Sequence, residues 1–420
     1  MKLVSNLAVA AALVAGAVAA ALVAGAVVAS PAAAQSKPAE APKPPERKFN
    51  ISKEAQKAIG ELRTSVNAKA ADFPQRLAAA QAVAKTNDDK YIIAKFQLQR
   101  AMENNDKAAQ RVAVEAILAS GGAEAAETAT LRRYLAAQSI NSGDFVTAER
   151  VYTERLAADP NDIDNVVNLS RAKLELKKPK EALDLLQRAI GLAKAAGKQP
   201  EEAWYRKSLE LAHQQKNIPL ALQMARDALA AYPSEVNLRN ALIVFQDGPA
   251  LDKQADLDLL RLMRSTKVMS GPGAYVNFAH LLNDEGLPGE AKAVLDEGKR
   301  LNILKGGEGA QLLAALTKTI AEDRASLPGV EAKARASANG VLAMRTAAAF
   351  AGYGEHAKAI DLYKVALAKG GVESNLINTR LGMSLAAAGR KAEAEAAFKA
   401  VTGSRAQLAA FWLSWIKLQA

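Results

Sequence analysis

The residues best suited to acid–base or metal chemistry at neutral pH are three histidines, His213, His280 and His356. None stands three or four residues from another, the spacing that puts two ligands on one helical face. The chain has no cysteine, which removes thiolate metal sites, disulfides and cysteine nucleophiles. Gly382-Met383-Ser384-Leu385-Ala386 shares the Gly-x-Ser start of a nucleophile elbow, but it lacks the final glycine and falls inside a predicted helix. Gly306-Gly307-Glu308-Gly309 is followed by no Lys-Ser or Lys-Thr pair and so cradles no phosphate. No nucleophile, base and orienting group can be assembled, so the sequence predicts a non-enzyme with no cofactor and no metal.

The elements that would carry these side chains repeat. Gly143-Asp144-Phe145 leads to Ala148, Tyr152, Leu156 and Pro160, and Ala182 falls 34 residues after Ala148. A small residue at Ala148 or Ala182 lets two helices approach, while Tyr152 or Leu186 four positions on fills the space beside it. Gly143-Asp144 predicts the end of one helix and the cap of the next. Pro160 ends the second helix and restricts Asp159 before it. A hairpin built this way keeps an apolar face that only a neighbouring hairpin can cover.

This pattern resembles the tetratricopeptide repeat. The clearest unit is 129–162. The frame continues at 163–196, 202–235, 272–305, 340–371 and 375–404, with a short insert around Gly197-Lys198-Gln199-Pro200. Leu381-Gly382 is the one place where the family's Leu-Gly pair is intact. Residues 90–120, 236–270 and 310–338 read as helical pairs whose signature has decayed. The expected fold is all-α, a right-handed α-α superhelical solenoid of about seven to nine stacked hairpins. Its expected parts are N-terminal helices at 51–128, clear repeats at 129–235, degenerate hairpins at 236–338, C-terminal repeats at 339–404 and a capping helix at 405–420.

The resemblance implies a protein-binding scaffold, because the first helix of each hairpin lines a groove that holds a peptide or another protein's tail. Carried over by position, the lining would include Arg133, Asn168, Arg171, Arg206, Lys207, Glu210 and His213. Basic and amide groups there would engage a carboxylate by charge-assisted hydrogen bonds. Arg133, Asn168 and Lys207 are compatible with the set used by chaperone-binding members of the family, but Ala137 and Ala203 stand where two further polar residues would be expected.

Composition agrees with close-packed helices: half of the residues are apolar while aromatics make up only 5%. The first 34 residues read as a signal peptide, with Lys2, an Ala/Val/Leu-rich stretch from Leu7 to Ala29 and small residues at Ala32-Ala33-Ala34. Cleavage before Gln35 and a periplasmic location are expected, with a retained inner-membrane anchor as the alternative. Residues 35–50 are a proline-rich linker. The formal net charge is +11, yet only 330–420 is clearly basic, with 12 Lys and Arg against 6 Asp and Glu.

That asymmetry admits an anionic polymer or membrane surface as an alternative partner. Nucleic acid is not expected, since no reading motif or basic cluster with stacking aromatics occurs. Near the C-terminus, Leu408, Phe411, Trp412 and Trp415 form an inward stripe that caps the last hairpin. Leu413 and Ile416 fall on other faces and mark a candidate apolar ridge.

Overall fold

The computed structural model describes residues 47–248 and 251–419. The signal or anchor segment and nearly all of the proline-rich linker lie outside the described residues. Among those described there is no strand, and no helix is long and apolar enough to cross a membrane. The chain divides into two compact units, one up to Leu192 and one from Ala193 onward.

The first unit holds α1 (Lys53–Asn67), α2 (Phe73–Val83), α3 (Asn87–Glu103), α4 (Lys107–Ser120), α5 (Ala125–Ser142), α6 (Phe145–Ala158), α7 (Ile163–Glu175) and most of α8 (Pro179–Ala195). They pair in sequence: α1 packs on α2, α3 on α4 and α5 on α6. In the fourth pair the Ser170 hydroxyl of α7 donates to the Ala182 carbonyl of α8 at 2.9 Å. The turn chemistry read from the sequence forms as expected. Gly143 takes a left-handed φ of 76°, and the Asp144 side chain accepts from the Thr147 amide. Asp159, ahead of Pro160, is extended at φ −135° and ψ 92°. Ser52 stands at the N-cap position of α1, and its hydroxyl donates to Asp89 across the fold instead of capping the helix.

The second unit continues with α9 (Glu202–Gln214), α10 (Ile218–Ala231), α11 (Glu235–Gln246), α12 (Lys253–Ser265), α13 (Gly271–Asp284) and α14 (Pro288–Arg300). There follow α15 (Ala310–Ala336), α16 (Val341–Gly352), α17 (His356–Lys369), α18 (Ser374–Ala387), α19 (Lys391–Lys399), a 3-10 turn (Gly403–Arg405) and α20 (Ala406–Leu418). Hairpins form from α9 with α10, α13 with α14, α16 with α17 and α18 with α19. The small position of the repeat is fully buried throughout, at Ala148, Ala182, Ala221, Ala291, Ala359 and Ala394. Four residues on, Tyr152, Leu186, Ala225, Leu295, Tyr363 and Phe398 are buried beside it.

One feature departs from the sequence reading. Residues 310–338, read as a helical pair, instead form one 27-residue helix, α15, with Pro328 inside it. Leu327-Pro328-Gly329 looks like a break, but Gly329 does not adopt a positive φ and the helix runs through. The missing proline amide interrupts the hydrogen-bond ladder without supplying a turn. The hairpins read at 163–196 and 202–235 do form, but at their turns Lys177 at φ 60° and Lys216 at φ 57° occupy the left-handed position that Gly143 holds in the α5–α6 turn. A side chain there costs about 1–2 kcal/mol against glycine.

The final helix does more than cover the α18–α19 hairpin. Besides α19, α20 packs on α11 and α12, so the end of the chain returns to the start of this unit. Phe411 meets Phe245 of α11 edge-on at 5.4 Å, and Trp412 stacks on Phe398 of α19 at 5.6 Å. Close packing at this end also needs Gly382, since a Cβ there would sit 2.7 Å from the Phe398 ring.

Candidate functional site

The structure distributes the candidate groove residues over both units. Arg133 on α5 and Asn168 and Arg171 on α7 belong to the first unit; Arg206, Lys207, Glu210 and His213 all lie on α9 of the second. Arg133, Arg171, Arg206, Glu210 and His213 are exposed, and Asn168 and Lys207 are half-buried. Several are already engaged within their own unit. The Asn168 amide donates to the Asp164 carbonyl at 2.8 Å. Lys207 pairs with Glu210 at 3.0 Å, and His213 with Asp247 at 3.2 Å. These are exposed pairs of small energetic weight. Among the described residues Arg133, Arg171 and Arg206 form no hydrogen bond or ion pair.

The apolar ridge needs correction. Ile416 is 4% exposed and so part of the cap's core, which leaves no ridge formed with Leu413. Leu413 is half-buried, and so is Trp415, a residue of the expected inward stripe. The reason is the return of α20 onto α11 and α12. A helix that touches neighbours on two sides buries a wider arc than a terminal cap covering one hairpin.

That return also assembles a site the sequence reading missed. α12 places Gln254, Asp258, Arg261 and Arg264 on one inward face at helical spacing. Asp258 is fully buried and meets three guanidinium groups: Arg261 at 2.6 Å, Arg380 of α18 at 3.1 Å and Arg405 of the 3-10 turn at 3.0 Å. Arg261 also grips Glu290 of α14 through two parallel bonds of 2.9 and 2.7 Å. Arg380 donates to Gln254 at 2.5 Å, and Arg405 to Asp252 at 3.0 Å. Although burial opposes charge on both partners, the Arg261–Glu290 contact holds the Glu290 carboxyl below its usual range and the Arg261 guanidinium above its own.

This network forms one wall of a cavity of about 820 Å³. Its other walls include Tyr353 and His356 at the α16–α17 turn, Tyr363 of α17, Met383 of α18, and Trp412 and Trp415 of α20. Burial pushes the Tyr363 phenol up to about 12 and the His356 ring below its usual value, so the imidazole is neutral at pH 7. The one signal available in sequence was a charged pair, Asp258 and Arg261, set among Leu257, Leu259, Leu260 and Leu262. Among the described residues no group of acidic or histidine side chains could hold a metal ion.

No protein-family description matches the chain, and no curated protein matches it. Among solved structures it is similar to MamA, at 19% identity over 43% of this chain and 97% of that one, with a TM-score of 0.29. A tetratricopeptide repeat protein from Parabacteroides merdae matches at 14% identity over 78% of this chain and 99% of that one, with a TM-score of 0.29. The structure of Naa15/Naa10 bound to HypK-THB matches at 15% identity over 82% and 62%, with a TM-score of 0.26. In each of its two units this chain is an all-α stack of helical hairpins.

Proposed function

We propose that the protein is a non-catalytic scaffold that binds a protein or peptide partner through the first helices of its hairpins. The observation that carries this reading is the set of exposed, uncommitted guanidinium groups at Arg133, Arg171 and Arg206, each on the first helix of a hairpin. A scaffold needs donors that folding has not consumed, and guanidinium forks match carboxylates in two-point geometry. Reversing all three to glutamate is expected to lower capture of partners by crosslinking in intact cells at least about tenfold, the loss of one good charge-assisted contact. Helicity should be unchanged, because none of the three is buried. Undiminished capture by the folded triple variant would remove these three side chains as partner contacts.

The reading extends to location. The Ala-rich start and Ala32-Ala33-Ala34 support export to the periplasm and a role in envelope assembly, secretion or surface-polymer export. Protein recovered from a Gram-negative host should then begin at or near Gln35 and leave with the periplasmic fraction. Intact Met1 in washed membranes would establish the anchored form instead.

A further inference from the structure

The cavity of the second unit is lined by five cationic side chains, Arg261, Arg264, Lys292, Arg324 and Arg380, against three carboxylates. Each carboxylate already has a cation: Glu290 has Arg261, Glu297 has Arg264 at 2.7 Å, and Asp296 has Lys292 at 2.5 Å. Two guanidinium groups keep free positions. Arg264 uses only Nε, which leaves both terminal nitrogens without a hydrogen bond, and Nη1 of Arg380 also has none among the described residues.

The free guanidinium nitrogens of Arg264 and Arg380 stand on the cavity wall and are available to an acceptor that comes from outside. Another part of the wall is flat-sided and apolar: Trp412 and Trp415 meet at 90° with centroids 5.4 Å apart, and Tyr353, Met383, Ala348 and Ala387 also line the cavity. A volume of about 820 Å³ falls in the range of small-ligand sites.

We propose that this cavity binds a small organic carboxylate with a flat apolar body. The carboxylate accepts from Arg264 and Arg380, and the body lies against the tryptophan and tyrosine faces. None of the three exposed arginines proposed to contact a partner lines this cavity, so loss of either function leaves the other intact.

Titration of the full chain with naphthalene-2-carboxylate, by calorimetry and by tryptophan fluorescence, tests this. Saturable binding is expected, with quenching of Trp412 and Trp415. The uncharged naphthalene-2-carboxamide, of the same shape, should bind at least about tenfold more weakly, the worth of one charge-assisted hydrogen bond. Arg264→Gln should weaken the carboxylate by a similar factor while leaving the carboxamide unchanged. Arg264 is partly exposed with one ion pair, so the variant is expected to fold, as its melting temperature will show. No saturable binding up to about 5 mM, a range that covers even weak sites, overturns the proposal. Equal affinity for acid and amide, or an Arg264→Gln variant that binds the acid unchanged, overturns it too.

Discussion

Asp258→Asn is expected to cost the second unit about 3–5 kcal/mol of stability, the range for breaking a buried ion pair by removing one partner. Asp258 is fully buried and is the shared acceptor of Arg261, Arg380 and Arg405. Arg261 keeps Glu290 in the variant, but Arg380 and Arg405, both almost wholly buried, keep only Gln254 and the partly exposed Asp252 and Glu373. The amide of asparagine fills the same space and even keeps an acceptor oxygen, so the expected loss comes from charge and not from a void. All three tryptophans, Trp204, Trp412 and Trp415, belong to this unit. Denaturation followed by their fluorescence therefore reports on it alone. A midpoint shift worth less than about 1 kcal/mol, the size of an exposed pair, would show that the network contributes geometry and little energy.

Phe398→Ala is expected to be as costly, about 3–5 kcal/mol, from lost burial and the space left behind. Its ring is 1% exposed, stacks on Trp412 and covers Gly382. Gly382→Ala alone should cost about 1–3 kcal/mol, because the added methyl meets the ring and φ is not in the left-handed region. The two changes should not add. In the double variant the methyl added at position 382 enters space the ring has vacated, so the loss should fall short of the sum by about 0.5–3 kcal/mol. Strict additivity in a denaturation cycle would mean that Gly382 and Phe398 do not compete for the same space.

The hairpins of this fold were legible because each depends on local chemistry. Gly143-Asp144 and Asp159-Pro160 determine helix ends within a few residues, and the buried alanines recur at a period that sequence shows directly. Where local chemistry misleads, the reading failed: Leu327-Pro328-Gly329 suggests a turn, yet packing carries α15 through it. The cavity was not legible for a different reason. Asp258 meets Arg380 across 122 positions and Arg405 across 147, and no periodic pattern connects residues so far apart. Its trace was two charges, Asp258 and Arg261, set among the leucines of α12, a conflict between side chain and burial that marks a tertiary partner without naming it. Ile416 was misplaced by the same omission, since a terminal cap and a returning helix differ only in what they meet.

The return of the chain's end to α12 also imposes an order on synthesis. Asp258 is made 147 residues before Arg405, a delay of roughly 7 to 30 seconds at about 5–20 residues per second. For that interval the nascent second unit carries a carboxylate suited to burial with its last guanidinium unmade. The apolar face of α12 beside it also has no α20 to cover it. The hairpins ahead of it can close as they emerge, but this unit completes its core only when its last helix arrives. Its vulnerable period in the cell is therefore set by translation speed more than by the intrinsic rate of helix pairing.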